Sequence, residues 1–444
     1  MKTFKFIFCI VAALLCLGLM LCACESDNGN TPADTTPASG FGTTTPEPET
    51  TAPAPELVTI IENGATEYTM LRYQDIDAAQ RKLFSQFYLE LKKQTGCDIK
   101  FTEAIEKLDI DPAAKEILLG NTNRPESKEL LDKLNAAGGN RFGISMTGTK
   151  LAVTGTSIYQ MYLGLDYFFN NCVSDEGAVI VEQGFEYISE NGEKNWTLDM
   201  LLEQGIKPSF VGTDELFKIS PQKGFSVMQG GGTDGKYAYI ALICKALTPE
   251  QGKIFKFDLE TKELVKVSEG LLTAHTNDIT YDSKNHRLVI SRCTEEDGWR
   301  GVSFVDPDTL ELIDTIMIPT GFRAIDYLPT TNQYVLGINY SFVITDENFN
   351  TVSSFPCQDP QYTTQGCYSD EKYIYDVRYI SKSDVHYIVI YTMDGQYIGT
   401  VPVYGFPNVE PENLFFYNGD FIMGCNKASR VYKLELVPEN YWGE

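Results

Sequence analysis

Basic residues are in short supply in this 444-residue chain: 36 Lys and Arg stand against 61 Asp and Glu, for a net charge of −25. A nucleic-acid surface needs a basic face, so nucleic acid is excluded as a partner. The same deficit argues against adhesion of the folded surface to an anionic bilayer. Histidine is scarcer still, with only His275, His286 and His386, and no Gly-x-Ser-x-Gly elbow accompanies them. Nucleophilic catalysis has little to work with, no catalytic residue is assigned, and the composition favours binding over catalysis. After Cys24 the cysteines are Cys97, Cys172, Cys244, Cys293, Cys357, Cys367 and Cys425, with no CxxC pair, so no zinc site is expected. Cys357 and Cys367 are placed to pair across a loop if the chain is exported, and buried thiols are expected for most of the others. Long apolar runs are missing as well, apart from Phe6 to Met20.

That run follows Lys2 and Lys5, and it is too short and too terminal for a stable membrane span, so residues 1–23 read as an export signal. It ends in Leu21-Cys22-Ala23-Cys24, which resembles the lipobox of bacterial lipoproteins. The resemblance implies cleavage before Cys24, lipid attachment to its sulfur, and anchorage on the outer face of the bacterial cell membrane. Residues 24–56 are Thr, Pro, Ala, Ser, Gly and acid, with almost nothing to bury. Such a segment cannot offset the entropy of folding and is expected to be a disordered, PPII-biased tether.

What the chain has in quantity is repetition. Tyr and Phe number 25 each, and aromatic and β-branched residues suit pleated strands. From about Phe225 to Leu436 one pattern is written five times. Its second strands begin Lys236-Tyr-Ala-Tyr-Ile, Arg287-Leu-Val-Ile-Ser, Gln333-Tyr-Val-Leu-Gly, Lys372-Tyr-Ile-Tyr-Asp and Asp420-Phe-Ile-Met-Gly. Third strands turn at Asp258, Asp306, Asp346 and Asp394, steps of 48, 40 and 48 residues (306 − 258, 346 − 306, 394 − 346). A period of roughly 40–50 residues with four short strands per unit predicts a β-propeller, here of five blades over residues 213–440. The last blade stops early, so a strand near Ser209 to Ser220 is expected to complete it from the other end of the fold. Residues 191–212 are read as a linker.

Residues 57–190 mix strands and helices and predict a small α/β sandwich, so the whole reads as multi-domain, α+β followed by all-β. Leu57-Val-Thr-Ile-Ile and Tyr68-Thr-Met-Leu-Arg-Tyr are expected to pair across Asn63-Gly64. Helices are expected from Asp77 to Thr95, Glu126 to Ala136 and Ser157 to Cys172. The run Glu116-Ile-Leu-Leu-Gly-Asn-Thr-Asn-Arg, then Lys150-Leu-Ala-Val-Thr-Gly, then a helix with Tyr167-Phe-Phe resembles the non-catalytic α/β domain of family 20 β-hexosaminidases and α-glucuronidases. The resemblance implies an accessory module in carbohydrate handling, without glycosidase activity. Asn121, Asn123 and Arg124 are its candidate ligand contacts, with helix capping as the alternative.

Aligning the repeats places Gln229, Asn277 with Asp278, Arg323, Gln365 and Glu412 at one level, about eight residues before each second strand, with slips of one to three residues in the second, third and fifth repeats. Innermost propeller strands line the central channel, so these residues are expected to ring its mouth. Amide, carboxylate and guanidinium groups suit a hydroxyl-rich polysaccharide or a peptide end, with water-filled polarity of the channel as the plainer alternative. His275-Thr-Asn-Asp-Ile resembles the Asn-Asp-Ile strand of gluconolactonase-type propellers. That resemblance implies a second reading, a metal-dependent hydrolase or lactonase using Asn277, Asp278 and Glu412 towards Ca²⁺. Carboxylates at Asp278, Asp326 and Glu412 are the candidates for glycan hydrolysis. A protein-interaction scaffold is the third reading, with a surface protein as partner. No cofactor is called for beyond that Ca²⁺.

Overall fold

Leu83, Phe84, Phe87 and Leu91 recur at helical spacing, and they form the buried stripe of the first helix, α1 (Ala78–Thr95). The Asp77 carboxylate accepts from the Gln80 N–H at 2.7 Å, and Gly96 ends the helix at φ 69°. These details come from a computed structural model. It describes residues 55–104, 110–293, 300–338, 340–358, 363–380, 385–406, 409–427 and 429–443. The export signal, Cys24 and the tether up to Ala54 lie outside the described residues. No described helix is long and apolar enough to cross a membrane.

From Pro55 onward the chain forms one compact unit. It begins with a six-stranded mixed sheet in the order Lys100–Ala104, Thr69–Tyr73, Glu116–Leu119, Lys150–Gly155, Phe142–Thr147, Glu186–Ile188. Helices α1 and α3 (Ile158–Cys172) share one core with one face of this sheet, and α2 (Pro125–Ala137) contributes Leu130 to a cluster on the other. The expected hairpin at Asn63-Gly64 does not form as a pair of strands. The turn is made, with φ 52° and 73°, but it closes only a bridge between Glu62 and Ala65. Leu57–Ile61 pairs instead with Val179–Glu182. Thr69–Tyr73 runs parallel to both of its neighbours. Met70 and Leu71 explain the difference: both are buried, in cores on opposite sides of the sheet, and a strand apolar on both faces belongs in its centre.

The remaining strands form runs of antiparallel neighbours, joined at one place by a parallel pair between Tyr397–Tyr404 and Pro208–Lys218, in a β-propeller-like all-β arrangement. Sheet one is Val227–Thr233, Tyr237–Cys244, Gln251–Asp258 and Leu264–Val267. Sheet two is Asp278–Asp282, Arg287–Ser291, Gly301–Val305 and Leu312–Met317, and sheet three is Ala324–Leu328, Gln333–Ile338, Ser341–Thr345 and Thr351–Pro356. Two further runs share an eight-stranded sheet. Thr363–Ser369, Tyr373–Tyr379, His386–Thr392 and Tyr397–Tyr404 meet Pro208–Lys218, which meets Arg430–Pro438, Asp420–Asn426 and Glu410–Tyr417. Pro208–Lys218 is thus the expected closing strand, antiparallel to Arg430–Pro438 from Lys218↔Arg430 to Pro438↔Pro208. The first strand of each run packs beside that of the next, and Glu410–Tyr417 packs against Val227–Thr233 to close the ring.

The turn aspartates act through their own backbone. Asp258 accepts from Glu260 and Thr261 N–H at 3.0 and 2.9 Å, and Asp306 repeats this with Asp308 and Thr309 at 2.9 and 2.7 Å. The seven described cysteines are free thiols, so Cys357 and Cys367 do not pair. Between helices and sheets there is no gap in the core: Phe87, Phe168 and Leu165 belong to one cluster with Phe210, Leu434, Tyr375 and Val401. The segment read as a linker carries a short helix, α4 (Leu198–Glu203), capped by Thr197.

Candidate functional site

Gln229, Gln365 and Glu412 each sit where their strand's pairing skips a residue. Met228 pairs with Leu242 and Gly231 with Ile240; Thr364 pairs with Arg378 and Gly366 with Val377; Pro411 pairs with Cys425 and Asn413 with Gly424. An extra residue in one strand bends it and re-aims a side chain. Asn277 and Arg323 reach the same level differently, each just ahead of its strand, with N–H bonds to the Ser291 and Gly337 carbonyls at 2.9 Å. This mixture is the physical source of the one-to-three-residue slip in the sequence alignment.

All five line one cavity of about 660 Å³. Lys245, His275, Arg300, Glu410 and Asn426 also line it, and sequence analysis missed them in this role. Glu410 carried a signal, two residues before Glu412 on one strand. Lys245, Arg300 and Asn426 lie outside the innermost strands, and the repeat alignment had no reason to point to them. Inner strands approach closely below the cavity, which is why Gly230 and Gly366 follow the bulged residues. A Cβ on Gly230 would lie 2.9 Å from the Asp278 backbone, and one on Gly366 would lie 2.8 Å from the Glu412 carbonyl oxygen.

Asp278 departs from the expected ring. It is 1% exposed and lies beneath the cavity, where Oδ1 accepts from Ile279 N–H at 3.0 Å and Oδ2 from Ile325 and Cys367 N–H at 3.0 and 3.1 Å. Its job is to tie three inner strands together. Burial pushes its carboxyl well up, against those three N–H groups, which favour the charged form. Asp326 repeats the device. It accepts from the Thr280 hydroxyl at 2.8 Å and from Tyr327 and Ser369 N–H at 3.0 and 2.6 Å, and burial pushes it up to about 7. Every oxygen of both aspartates already accepts a hydrogen bond, and neither residue lines the cavity. Asn277 is partly committed too, donating to the Arg323 and Gln365 carbonyls at 3.1 and 2.6 Å.

The cavity's charged groups are less engaged. Glu412 is 1% exposed, yet neither carboxylate oxygen has a hydrogen-bond partner among the described residues. Burial, then the neighbouring Glu410 charge, pushes its carboxyl well up; the nearby Asn426 amide favours the charged form without a bond of ordinary geometry. Asn426 donates instead to Glu410 Oε2 at 3.2 Å, and Gln365 Nε2 donates to Glu410 Oε1 at 3.3 Å. His275 Nδ1 is 2.5 Å from Glu250 Oε2. No three His, Cys, Asp or Glu side chains converge as a metal site among the described residues.

Arg124, a candidate ligand contact of the first module, is spent on structure. Its Nε and Nη2 donate to Glu116 Oε2 and Oε1 at 2.9 and 2.7 Å, and Lys150 completes the group. A smaller cavity of about 300 Å³ is lined by Trp196, Tyr368, Tyr375 and Phe416, and two of its acids are paired: Asp199 with Lys372 and Tyr373, Glu435 with Lys433.

No protein-family model matches the chain, and no curated protein matches it. Among solved structures, it is similar to hydrazine synthase of Kuenenia stuttgartiensis, at 12% identity over 50% of this chain and 65% of that chain, with a TM-score of 0.31. It is also similar to the calcium-binding protein regucalcin of Agrobacterium tumefaciens, at 11% identity over 51% of this chain and 96% of that chain, with a TM-score of 0.35. Likeness at this level bears on neither the ligand nor the chemistry of the cavity.

Proposed function

We propose that the protein is a carbohydrate-binding protein of the bacterial cell surface, and that the cavity is the mouth of a five-bladed β-propeller that takes a polysaccharide. The observation that carries this reading is the convergence of Gln229, Asn277, Arg323, Gln365 and Glu412 on one cavity of about 660 Å³. Amide, guanidinium and carboxylate groups are what a hydroxyl-rich ligand hydrogen-bonds. Arg323 has no side-chain hydrogen bond or ion pair among the described residues, and Glu412 has none either, so both are available. In this reading residues 1–23 direct export, Cys24 carries a lipid anchor, residues 24–56 hold the fold off the membrane, and residues 57–190 are an accessory module.

The test is a glycan-array screen of the purified full chain, with and without Ca²⁺. Binding to a defined saccharide that Arg323→Ala and Glu412→Ala both weaken supports the reading. Binding left intact in both variants would show the site to be elsewhere. Absence of binding under both conditions would turn attention to a surface-protein partner. A metal-dependent hydrolase or lactonase would use the same mouth, where Asn277 and Glu412 line the cavity while both Asp278 oxygens already accept backbone N–H groups.

A further inference from the structure

Glu412 is buried at the cavity wall with both oxygens unpartnered, and Glu410 stands two residues away on the same strand and lines the same cavity. Among the described residues, Glu410 receives two long amide side-chain hydrogen bonds, 3.2 and 3.3 Å. Neither carboxylate has an ion-pair partner among the described residues. Two neighbouring carboxylates without a contacting cation repel one another, and burial makes that repulsion costly; Lys245 and Lys427 favour the charged form of Glu412 only from beyond ion-pair distance. We infer that the ligand supplies the missing cation: a primary ammonium docks between Glu410 and Glu412, and the ligand is a glycan carrying free amino groups. This deepens the glycan reading above and rests on it.

Hydroxyl groups alone would satisfy an oxygen or two and leave the repulsion in place. An ammonium brings three N–H donors together with the charge. A divalent cation would want more oxygen ligands than this pair supplies. The cavity's arginines stand elsewhere: Arg300 borders sheet two and Arg323 precedes sheet three, across the ring from Glu410–Tyr417. An ammonium is thereby held to one wall, and Arg323 is left to bind the ligand's hydroxyl or carboxylate oxygens. The amide flank of Gln365 and Asn426 orients Glu410 and adds no charge.

The experiment is calorimetric titration of the full chain with glucosamine oligomers and with N-acetylglucosamine oligomers of the same length, at a pH where the amine is protonated. The two series share their sugar backbone and differ at nitrogen, where acetylation removes the charge and two N–H donors and adds a small acetyl group; the Glu412→Gln variant separates charge from bulk. Expected is binding of the free-amine series, with the acetylated series and the Glu412→Gln variant each weaker by roughly thirty-fold or more. Glu410→Gln, at a less buried position, serves the same purpose if Glu412→Gln does not fold. Equal binding of both series, or binding unchanged in both variants, would overturn the inference and leave the glycan reading standing. Binding of neither series would overturn it as well, and the array screen then judges the glycan reading separately. Binding that appears only with Ca²⁺ would assign the cation to a metal, and a lysine peptide matching the oligomer would assign the amine to a polypeptide. Either result would overturn the inference.

Discussion

Asp278 and Glu412 are equally shielded from solvent, yet every oxygen of the first is engaged and neither oxygen of the second is. Their substitutions should therefore differ in their effect on stability. Asp278→Ala strands three backbone N–H groups and should cost about 2–4 kcal/mol in urea denaturation. Glu412→Gln removes a carboxylate that has no partner, so it should leave the melting temperature unchanged or raise it while weakening ligand binding. An Asp278→Ala variant as stable as wild type would refute the strand-tying role. Asp326 gives a pH signature. Its folded pKa, about 7 because of burial, lies above the unfolded value of about 3.9. Its contribution to stability is thus full below about pH 4 and is lost as pH rises towards 7. Denaturation of Asp326→Asn between those limits should show a shallower decline than wild type, and parallel curves would exclude the effect. At this scale the sequence was readable for residue type and level. It could not say which of two adjacent polar residues, Asn277 or Asp278, faces the cavity and which faces backbone, because that is decided by partners on other strands.

At the level of elements, the alternating second strands and the turn aspartates were legible because each is a local device, complete within a few residues. The bulges at Gln229, Gln365 and Glu412 were visible only as a slip in alignment, since an extra residue has no signature until the partner strand is known. The Asn63-Gly64 signal was real for the turn and misleading for the strands, whose partners were chosen by two-sided burial of Met70 and Leu71. Gly366→Ala should tell whether the bulged strand must lie this close to its neighbour. Its Cβ would meet the Glu412 carbonyl at 2.8 Å and the Asn413 Cα at 2.9 Å, so lower stability and lost binding are expected together. Ring closure is tested at Phe210, fully buried on the closing strand. Phe210→Ala should cost about 3–5 kcal/mol, and an unchanged melting temperature would deny the strand its role.

Across the whole molecule, the α/β layer and the sheets share one core, and the residues after the last strand fasten it. Tyr441 packs against Tyr162 and Trp196, and Trp442 against Phe87 and Phe169. Lys82 of α1 donates to the Ser209 hydroxyl and the Pro438 carbonyl at 2.7 and 2.8 Å. Calorimetry should therefore record one cooperative transition for the region from Pro55 onward. Trp442→Ala should lower it by about 3 kcal/mol and split it in two. The helices of the α/β layer and the repeated strands were legible separately; their shared core was not, because aromatic residues in α1, α3 and the final segment each read as local core. The closing strand also sets a timetable. Its partner begins 212 residues after it ends (430 − 218), which is roughly 10–40 s of ribosomal synthesis at about 5–20 residues per second. Throughout that interval the strand's open edge is a template for the wrong neighbour. The Lys82 contact to Ser209 is available from the start, so the early-made helix serves as a holding place for a strand whose true partner has yet to be made.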